Sequence, residues 1–581
     1  MTRLYNDPAA FADEALEGFA AAHRRWVRPV PGGVVRATAK TPGQVAVVIG
    51  GGSGHYPAFS GLVGRGLAHG AAVGNVFASP SAQQIRTVAR AAESGGGVLL
   101  LYGNYAGDVL HFGQAAERLN AEGTATRTFA VTDDLSSAAP DEAHKRRGIA
   151  GDLPVFKAAA AAAEQGLPLD EVARVAAYAN ARTRSFGIAF SGCTLPGADH
   201  PLFTVPEDRM AVGLGIHGEP GIGEAAVPTA DEAAELLVST LLKELPDGVT
   251  APDGQRAAVI LNGLGSVKYE ELFVVYRRVA RLLADAGVQT VDPEVGELVT
   301  SFDMAGISLT LTWLDDILEA LWTAPADAPA YRKGSVPEAV AADEDEDEDE
   351  ASYETGSGPE PYVASDDSRN AAATALDALG RIKETVDAHA DELGRIDAVA
   401  GDGDHGIGMQ RGSSAAYEAA LHAKELGAGA HSLLTAAGDA WADRAGGTSG
   451  ALWGIILRAV ADALGDIERP TPATIAHGVR QASDGVRRTG GAEVGDKTMV
   501  DVLVPFAETL VQQVAEGADL TAAWAGAADV AEQAARDTAR LVPRMGRARP
   551  HAEKSLGTPD AGAHSLALIV RAVHGALATC Q

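Results

Sequence analysis

Asp397-Ala398-Val399-Ala400-Gly401-Asp402-Gly403-Asp404-His405-Gly406-Ile407-Gly408 is the stretch on which the reading of this 581-residue chain turns. Asp397, Asp402 and Asp404 crowd three carboxylates into eight residues, with glycines interleaved. Glycine permits sharp turns and positive φ, so the acids can converge on one point. Uncompensated carboxylates repel, and a hard cation is their natural occupant. Mg²⁺ in particular combines a few carboxylates with water and phosphate oxygens. A solvated acidic turn would draw on the same residue types. A calcium-binding EF-hand loop is excluded, because the twelfth position is Gly408 rather than Glu.

Around this stretch the sequence reads as helix only. Segments 369–393, 414–426, 431–445, 450–464, 473–489, 498–515, 520–541 and 562–578 carry helical patterning and are joined by short turns. The expectation is an all-α bundle. Three further connections are rich in glycine: Gly446 to Gly450, Gly490 to Met499, and Gly557 to Gly562. Gly447-Thr448-Ser449-Gly450 opens a helix, where free N–H groups and hydroxyls suit a phosphate. The Gly490 stretch misses a Walker A loop, since Asp496 intrudes before Lys497 and no strand precedes it. Four such turns suggest a nucleotide held at one rim of a bundle.

Upstream, residues 332–365 form a linker containing Asp343 to Glu350, eight consecutive acids. Such a block repels itself and is expected to stay disordered. Before it the pattern is α/β. Residues 9–25 read as a helix. A strand at Gln44–Ile49 runs into the glycine turn Gly50-Gly51-Gly52-Ser53-Gly54-His55. A second strand at 97–102 meets Gly103-Asn104-Tyr105-Ala106-Gly107-Asp108. A third strand is expected at 128–131, and an alanine-rich helical stretch at 155–182. These features indicate a largely parallel sheet, with ligands at the carboxyl ends of strands. From about 185 a second α/β subdomain begins. It has a strand running into the turn that carries His217, another strand at 257–261, a helix at 269–287, and a stretch from Thr290 to Leu298 that starts as a strand. The domain reading is therefore residues 1–331, with subdomains of about 1–184 and 185–331, then the linker, then 366–581.

Composition sets outer bounds. The net charge of −31 opposes nucleic acid and anionic membranes as partners, so an anionic substrate needs local cations or amides. Cys193 and Cys580 form no CxxC pair, which points to a reducing cytoplasmic compartment. The N-terminus lacks a secretion signal pattern, and no run reads as a transmembrane helix. Aromatic residues are only 5% of the chain, so the cores are expected to pack around small side chains.

Taken together, GGGSGH (50–55), GNVFASPSA (74–82), GNYAGD (103–108), GLGIHGEPG (213–221), GDGDHG (401–406), GGTSG (446–450), GAEVGDKTM (491–499), GRARP (546–550) and GTPDAG (557–562) make the chain resemble the single-chain, ATP-dependent dihydroxyacetone kinases. The resemblance covers nearly everything except the acidic linker. It implies a ketone-binding domain of two α/β subdomains followed by an all-α helical nucleotide-binding domain. It also implies that His217 bonds covalently to the substrate carbonyl as a hemiaminal. Gly52, Ser53 and His55 would then hold substrate oxygens, and Asp108 would take the proton from the terminal hydroxyl, with His55 assisting. Asp397, Asp402 and Asp404 would hold Mg²⁺ on the ATP phosphates. His405, Gly406, Thr448, Ser449, Gly490, Thr498, Met499, Asp560 and Gly562 match positions near the nucleotide, and Arg549 matches a phosphate contact. A homodimer with the ketone domain of one chain facing the nucleotide domain of the other is implied too.

Two positions depart from the usual family pattern. Tyr56 stands where the family has an acid, and Gly103 where it has a lysine. Removing the lysine frees space for another carbon and hydroxyl, and the variant pattern resembles the erythrulose kinase branch. Dihydroxyacetone is the close competitor or a shared substrate. Other readings within the resemblance are a ketose-binding regulator, a phosphoprotein-dependent phosphotransferase subunit, and an FMN cyclase side activity.

Overall fold

The computed structural model describes residues 4–217, 219, 221–336, 362–399, 403, 405–545 and 555–579. The chain divides into two compact units, Met1–Glu354 and Thr355–Gln581. The acidic run from Asp343 to Glu350 lies outside the described residues.

The first unit is built on two sheets. Strands β1 (Val27–Val30), β2 (Gly33–Arg36), β3 (Ala46–Ser53), β4 (Gly70–Val76), β5 (Val98–Gly103) and β6 (Thr126–Val131) form a six-stranded sheet in the order β1-β2-β4-β3-β5-β6. Helices α1 (Phe11–Ala22), α2 (Ala82–Ala92), α3 (Ala106–Ala121), α4 (Asp152–Glu164) and α5 (Leu169–Ala181) accompany it. Alternation along β3 and β5 explains the layering. Val47, Ile49, Leu99 and Leu101 enter one core, while Ala46, Val48, Val98, Leu100 and Tyr102 enter the other. Both faces are covered, as a parallel sheet requires. Helix α2 starts where Ser81 and Gln84 form a reciprocal capping box.

Several expectations are corrected here. The sheet is parallel only from β4 to β6; the β1–β2 hairpin and the β2–β4 pair are antiparallel. The alanine-rich stretch is two helices, separated by Gly166 at φ 77° and by Pro168, the cap of α5. The glycine stretch after Ile49 is strand rather than turn, since β3 runs through Gly50, Gly51 and Gly52 to Ser53. The reason is close packing. A Cβ on Gly51 would lie 2.5 Å from the Phe59 ring, and one on Gly52 would lie 2.8 Å from the Ala78 nitrogen. The chain turns only at Gly54, φ 97°.

The second sheet contains β7 (Thr183–Ala189), β8 (Arg209–Val212), β9 (Gly223–Ala226), β10 (Arg256–Gly263), β11 (Gln289–Thr290), β12 (Glu294–Gly296) and β13 (Gly306–Leu314). Its order is β11-β10-β13-β7-β8-β9, with β12 also on β10. All pairs from β10 to β9 are antiparallel. The Thr290–Leu298 stretch is two short strands, broken at Asp292, φ 42°, and Pro293. Helices α6 (Ala230–Lys243) and α7 (Tyr269–Asp285) cover one face through Leu237, Leu241, Leu272 and Val279. Helix α8 (Asp316–Trp322) follows β13.

The second unit is all-α. Its helices are α9 (Asp366–Asp397), α10 (His405–Glu425), α11 (Ala430–Ala445), α12 (Gly447–Leu464), α13 (Pro472–Gly490), α14 (Val500–Ala515), α15 (Leu520–Asp537) and α16 (Ala561–Thr579). Each packs on the next, and α16 closes the ring on α9. The core is dominated by small residues such as Ala416, Ala420, Ala437, Ala527 and Ala531, around Trp441 and Phe506. Helix α16 is long and apolar enough in composition to cross a membrane, against the expectation of no such run. Here Ala563, Leu566, Ile569 and Val570 bury it in this core instead. In an up-and-down ring, alternate connections share a rim. The α9–α10, α11–α12, α13–α14 and α15–α16 connections are therefore neighbours, and these are the four glycine turns.

Candidate active site

In the first unit the site gathers at the carboxyl end of β3. His55 follows the Gly54 turn and is buried. Its Nδ1 lies 2.8 Å from the Thr300 carbonyl, which fixes Nδ1 as a donor. Its Nε2 lies 2.9 Å from Nε2 of His217. On the far side, Nδ1 of His217 lies 3.1 Å from Glu219 Oε1, and the His217 backbone N–H donates to Glu219 Oε2 at 2.9 Å. Acceptors close both ends of this histidine pair. One proton shared between the facing Nε2 atoms completes the network.

Electrostatics match that geometry. Burial, and then the charge of His217, lower His55 to about 3, so His55 is the neutral partner. Burial alone would raise Glu219. The His217 ring, its bonds to Glu219 and the Arg147 guanidinium outweigh it and hold the carboxyl well below the usual range. Arg147 is fixed in turn by Asp134, through Nε at 2.9 Å and Nη2 at 2.7 Å. A chain of contacts therefore runs from buried Asp134 through Arg147 and Glu219 to His217.

Aromatic rings wall the pair. Phe77 stacks on His55 with centroids 4.9 Å apart, and the Tyr105 ring stands edge-on to His217 at 4.3 Å. The Tyr105 hydroxyl donates to the Gly148 carbonyl at 2.9 Å. Phe59, Phe77 and Phe302 all have positive φ, at 70°, 56° and 57°. Such conformations cost about 1–3 kcal/mol each and persist where the surroundings over-determine them. Here Phe77 N–H donates to Ser53 O at 2.9 Å and Phe302 N–H to Gly54 O at 2.8 Å, clamping the turn that carries His55.

Asp108 occupies the first turn of α3, three residues after Tyr105, and is buried. It neighbours buried Asp152, which in turn neighbours buried Asp133. Burial, then Asp133 and Asp108, push Asp152 well up. Asp133, raised by burial to about 6, accepts from the Ile149 and Gly151 amides at 2.8 and 2.7 Å. Ser53 Oγ is buried with no hydrogen-bond partner among the described residues, and Gly52 brings the backbone close beside it.

Neither departure position leaves a simple void. A Cβ on Gly103 would lie 3.1 Å from the Tyr105 ring, so the missing side chain admits that ring against His217. Tyr56 is 47% exposed and turns its ring toward Phe19, at 5.9 Å.

In the second unit the predicted residues that the structure describes lie at helix ends and turns of one rim. Asp397 is the last residue of α9 rather than part of a loop, and its Oδ2 accepts from Gly403 N–H at 2.8 Å. His405 and Gly406 are the first residues of α10, so the turn between these helices is shorter than expected. His405 Nε2 lies 3.0 Å from Ser565 Oγ on α16. Burial lowers this imidazole, against the pull of Asp397. Asp560 accepts from Ala563 N–H at 2.7 Å, at the start of α16. Burial, then Asp501 and Asp397, raise Asp560 to about 7. Asp501 is itself held by Gly495 and Thr498 amides at 2.6 and 2.8 Å. Met499 caps α14 beside Gly562. Thr448 and Ser449 lie in the first turn of α12, and Gly490 ends α13. Asp402, Asp404 and Arg549 lie outside the described residues.

Sequence reasoning missed Glu219, Arg147, Asp134, Tyr105 and Phe77. Glu219 sat inside the quoted GIHGEPG motif, two residues from His217, and could have been weighed. Arg147 and Asp134 gave no local signal, because only the fold brings them to Glu219. In the second unit it missed Asp501, whose motif was quoted only as far as Met499.

Comparison with known proteins identifies the family of both units. The Dak1 domain matches residues 17–330 and the DAK2 domain residues 399–575. The chain is 62% identical over 577 residues to the L-erythrulose kinase of Pectobacterium atrosepticum, covering 99% of this chain and 97% of that protein. The chain belongs to the dihydroxyacetone kinase family. It is a kinase of the single-chain type, with both domains in one polypeptide. It is also 58% identical over 574 residues to the D-erythrulose kinase of Mycolicibacterium smegmatis, covering 99% of this chain and 98% of that one. The dihydroxyacetone kinase of C. freundii, solved in complex with AMP-PNP and Mg²⁺, aligns over 100% of both chains with a TM-score of 0.52 and 29% identity.

Proposed function

We propose that this kinase transfers the γ-phosphoryl group of ATP to a terminal hydroxyl of erythrulose, with dihydroxyacetone as a second, smaller substrate. The observation that carries the ketose chemistry is the His55–His217 pair closed by Glu219. Erythrulose is favoured by full-length similarity to two erythrulose kinases. A cytoplasmic location and a homodimer belong to the same reading.

The chain's own groups supply the steps. His217 Nε2 adds to the ketone carbon, and the proton shared with His55 passes to the former carbonyl oxygen. The ring nitrogen is then alkylated and cationic, and Glu219 at Nδ1 balances that charge. Ser53 Oγ, lacking a partner among the described residues, is suited to a substrate hydroxyl. Asp108 takes the proton of the terminal hydroxyl, whose oxygen attacks the γ-phosphorus as ADP leaves. Tyr105 and Phe77 exclude water from the adduct. A polyol has no carbonyl to trap and is not turned over.

The second unit supplies the nucleotide end. Burial first, and then the charges of Asp501 and Asp397, raise Asp560 to about 7, and a cation beside these carboxylates would relieve their repulsion. Asp397, Asp402 and Asp404 would hold Mg²⁺, which when bound neutralises charge on the phosphates. Thr448, Ser449 and the α12 amides would take phosphate oxygens, beside His405, Gly490, Thr498, Met499 and Arg549.

The test is ATP consumption with Mg²⁺ against D-erythrulose, L-erythrulose, dihydroxyacetone, glyceraldehyde and glycerol. A tetrulose should give the highest kcat/KM and glycerol none. Dihydroxyacetone clearly ahead would remove the erythrulose assignment. Ketose-independent ATP use would remove the substrate class altogether.

A further inference from the structure

Arg147 takes no part in the steps above, yet the fold brings it to the loop that carries His217. It lies between β6 and α4, and its carbonyl accepts from Asp134 N–H at 3.1 Å. Asp134 also bridges to Ser185 of β7, so this anchor joins the first sheet to the second.

The guanidinium divides its donors between three partners. Nε and Nη2 hold Asp134, and Nη2 also reaches Ser136 Oγ at 3.2 Å and the Gly213 carbonyl at 3.3 Å. Ser136 Oγ lies 2.8 Å from the same carbonyl. Gly213 follows β8 at φ 78°, where the chain leaves the sheet toward His217. Nη1 is turned to Glu219, 4.0 Å from Oε2. The loop backbone lies directly on this pair. A Cβ on Gly215 would come within 2.9 Å of Arg147 Nη1 and would collide with Glu219 Oε2.

The protonation of Glu219 decides which nitrogen of His217 can react. An ionised carboxylate only accepts, so its contact at 3.1 Å makes His217 Nδ1 the donor. Nε2, which faces His55, then keeps its lone pair for the ketone carbon. A protonated Glu219 would donate to Nδ1, confine the ring proton to Nε2 and leave no lone pair there. Burial pushes Glu219 toward that unproductive form, while His217 and then Arg147 oppose it. Tyr105, His55 and Cys193 also lie within electrostatic reach of Glu219, and burial holds all three neutral.

We propose that Arg147 is a positioning residue for the ketose reaction: acting through Glu219, it presents the His217 ring with Nε2 free to bond the ketone. This rests on the reading of His217 as the group that bonds the substrate.

The experiment follows kcat/KM for erythrulose against pH, with ATP and Mg²⁺, in the full-length parent, Arg147→Gln, Arg147→Lys, Glu219→Gln and the Arg147→Gln/Glu219→Gln double variant. In Arg147→Gln the acid limb should move up by about one pH unit or more, with a loss of roughly ten-fold to a hundred-fold near neutral pH that recovers in alkali. Arg147→Lys keeps the charge and should hold the limb close to that of the parent. Arg147→Gln should cost at least about five-fold less in the Glu219→Gln background than in the parent. A loss equal at every pH, or equal in both backgrounds, would overturn the proposal, as would a limb displaced as far in Arg147→Lys as in Arg147→Gln.

NMR of the ligand-free chain separates this proposal from the substrate reading. In the parent the Glu219 carboxyl should stay ionised down to about pH 5, and ¹⁵N shifts should show His217 Nδ1 protonated near neutral pH. Arg147→Gln should shift the ring toward the Nε2–H form. A Glu219 carboxyl that titrates near neutral pH in the parent would overturn the proposal without any variant. A parent that uses no ketose but shows these ring shifts would remove the substrate reading and leave the Arg147 contact standing.

Discussion

The two candidate sites solve opposite electrostatic problems. At the His55–His217 pair every charge has its partner within the unit: Asp134 holds Arg147, Arg147 faces Glu219, and Glu219 holds His217. At the rim of the helical ring the carboxylates of Asp397, Asp501 and Asp560 face one another, and Asp560 rises to about 7. The described groups of the first site are linked to one another, which suits the neutral ketose proposed for it. The second carries surplus negative charge and is poised for a cation that brings its own anion. A chain with a net charge of −31 can thereby handle a polyphosphate.

Removing a reacting group should have the largest effect. Asp108→Ala should lower kcat about 10²–10⁴-fold while ketose binding is retained. His217→Ala should abolish the covalent adduct seen by NMR with a carbonyl-labelled ketose. An adduct persisting in His217→Ala would mean that the closed pair is not the trap.

Next is Glu219→Gln, which keeps the shape and removes the charge. A loss of roughly ten-fold to a hundred-fold in kcat/KM for ketose is expected, with KM for ATP unchanged. A parent-like value would break the claim that this site depends on internal pairing.

The rim should respond with the opposite sign. The folded-state value of Asp560 lies above its unfolded one, so its contribution to stability is full below about 4 and is lost as pH rises toward about 7. Asp560→Asn should therefore raise the melting temperature of the substrate-free protein at pH 8 more than at pH 4, while weakening ATP binding. Destabilisation at pH 8 would contradict a surplus of charge there.

His55 gives a subtler test. Its folded value of about 3 lies below the unfolded value of about 6.5, so its stabilisation is present above 6.5 and fades as pH falls toward 3. Its ring resonances should not titrate between pH 8 and about pH 4.5. The smallest effect is expected from deleting Asp343 to Glu350, which should leave kcat within about two-fold if the linker is only a solvated tether.

Much of this molecule could be read from its sequence. Eight helical segments with glycine turns announced the helical unit, because 3.6-residue periodicity is a local property. The motifs also placed His55, Asp108 and His217 at the ends of strands, turns or helices. What was misread were boundaries set by packing. Gly50 to Gly52 look like a turn and are strand, since only the approach of Phe59 and Ala78 reveals why they lack side chains. Asp397 looks like a loop ligand and ends a helix. What the sequence by itself determined is element type and the inventory of reactive groups, both fixed within a few residues of chain. Only the tertiary structure decided which charges cancel. Arg147 reaches Glu219 across 72 residues, and the single rim of four glycine turns exists because α16 closes on α9.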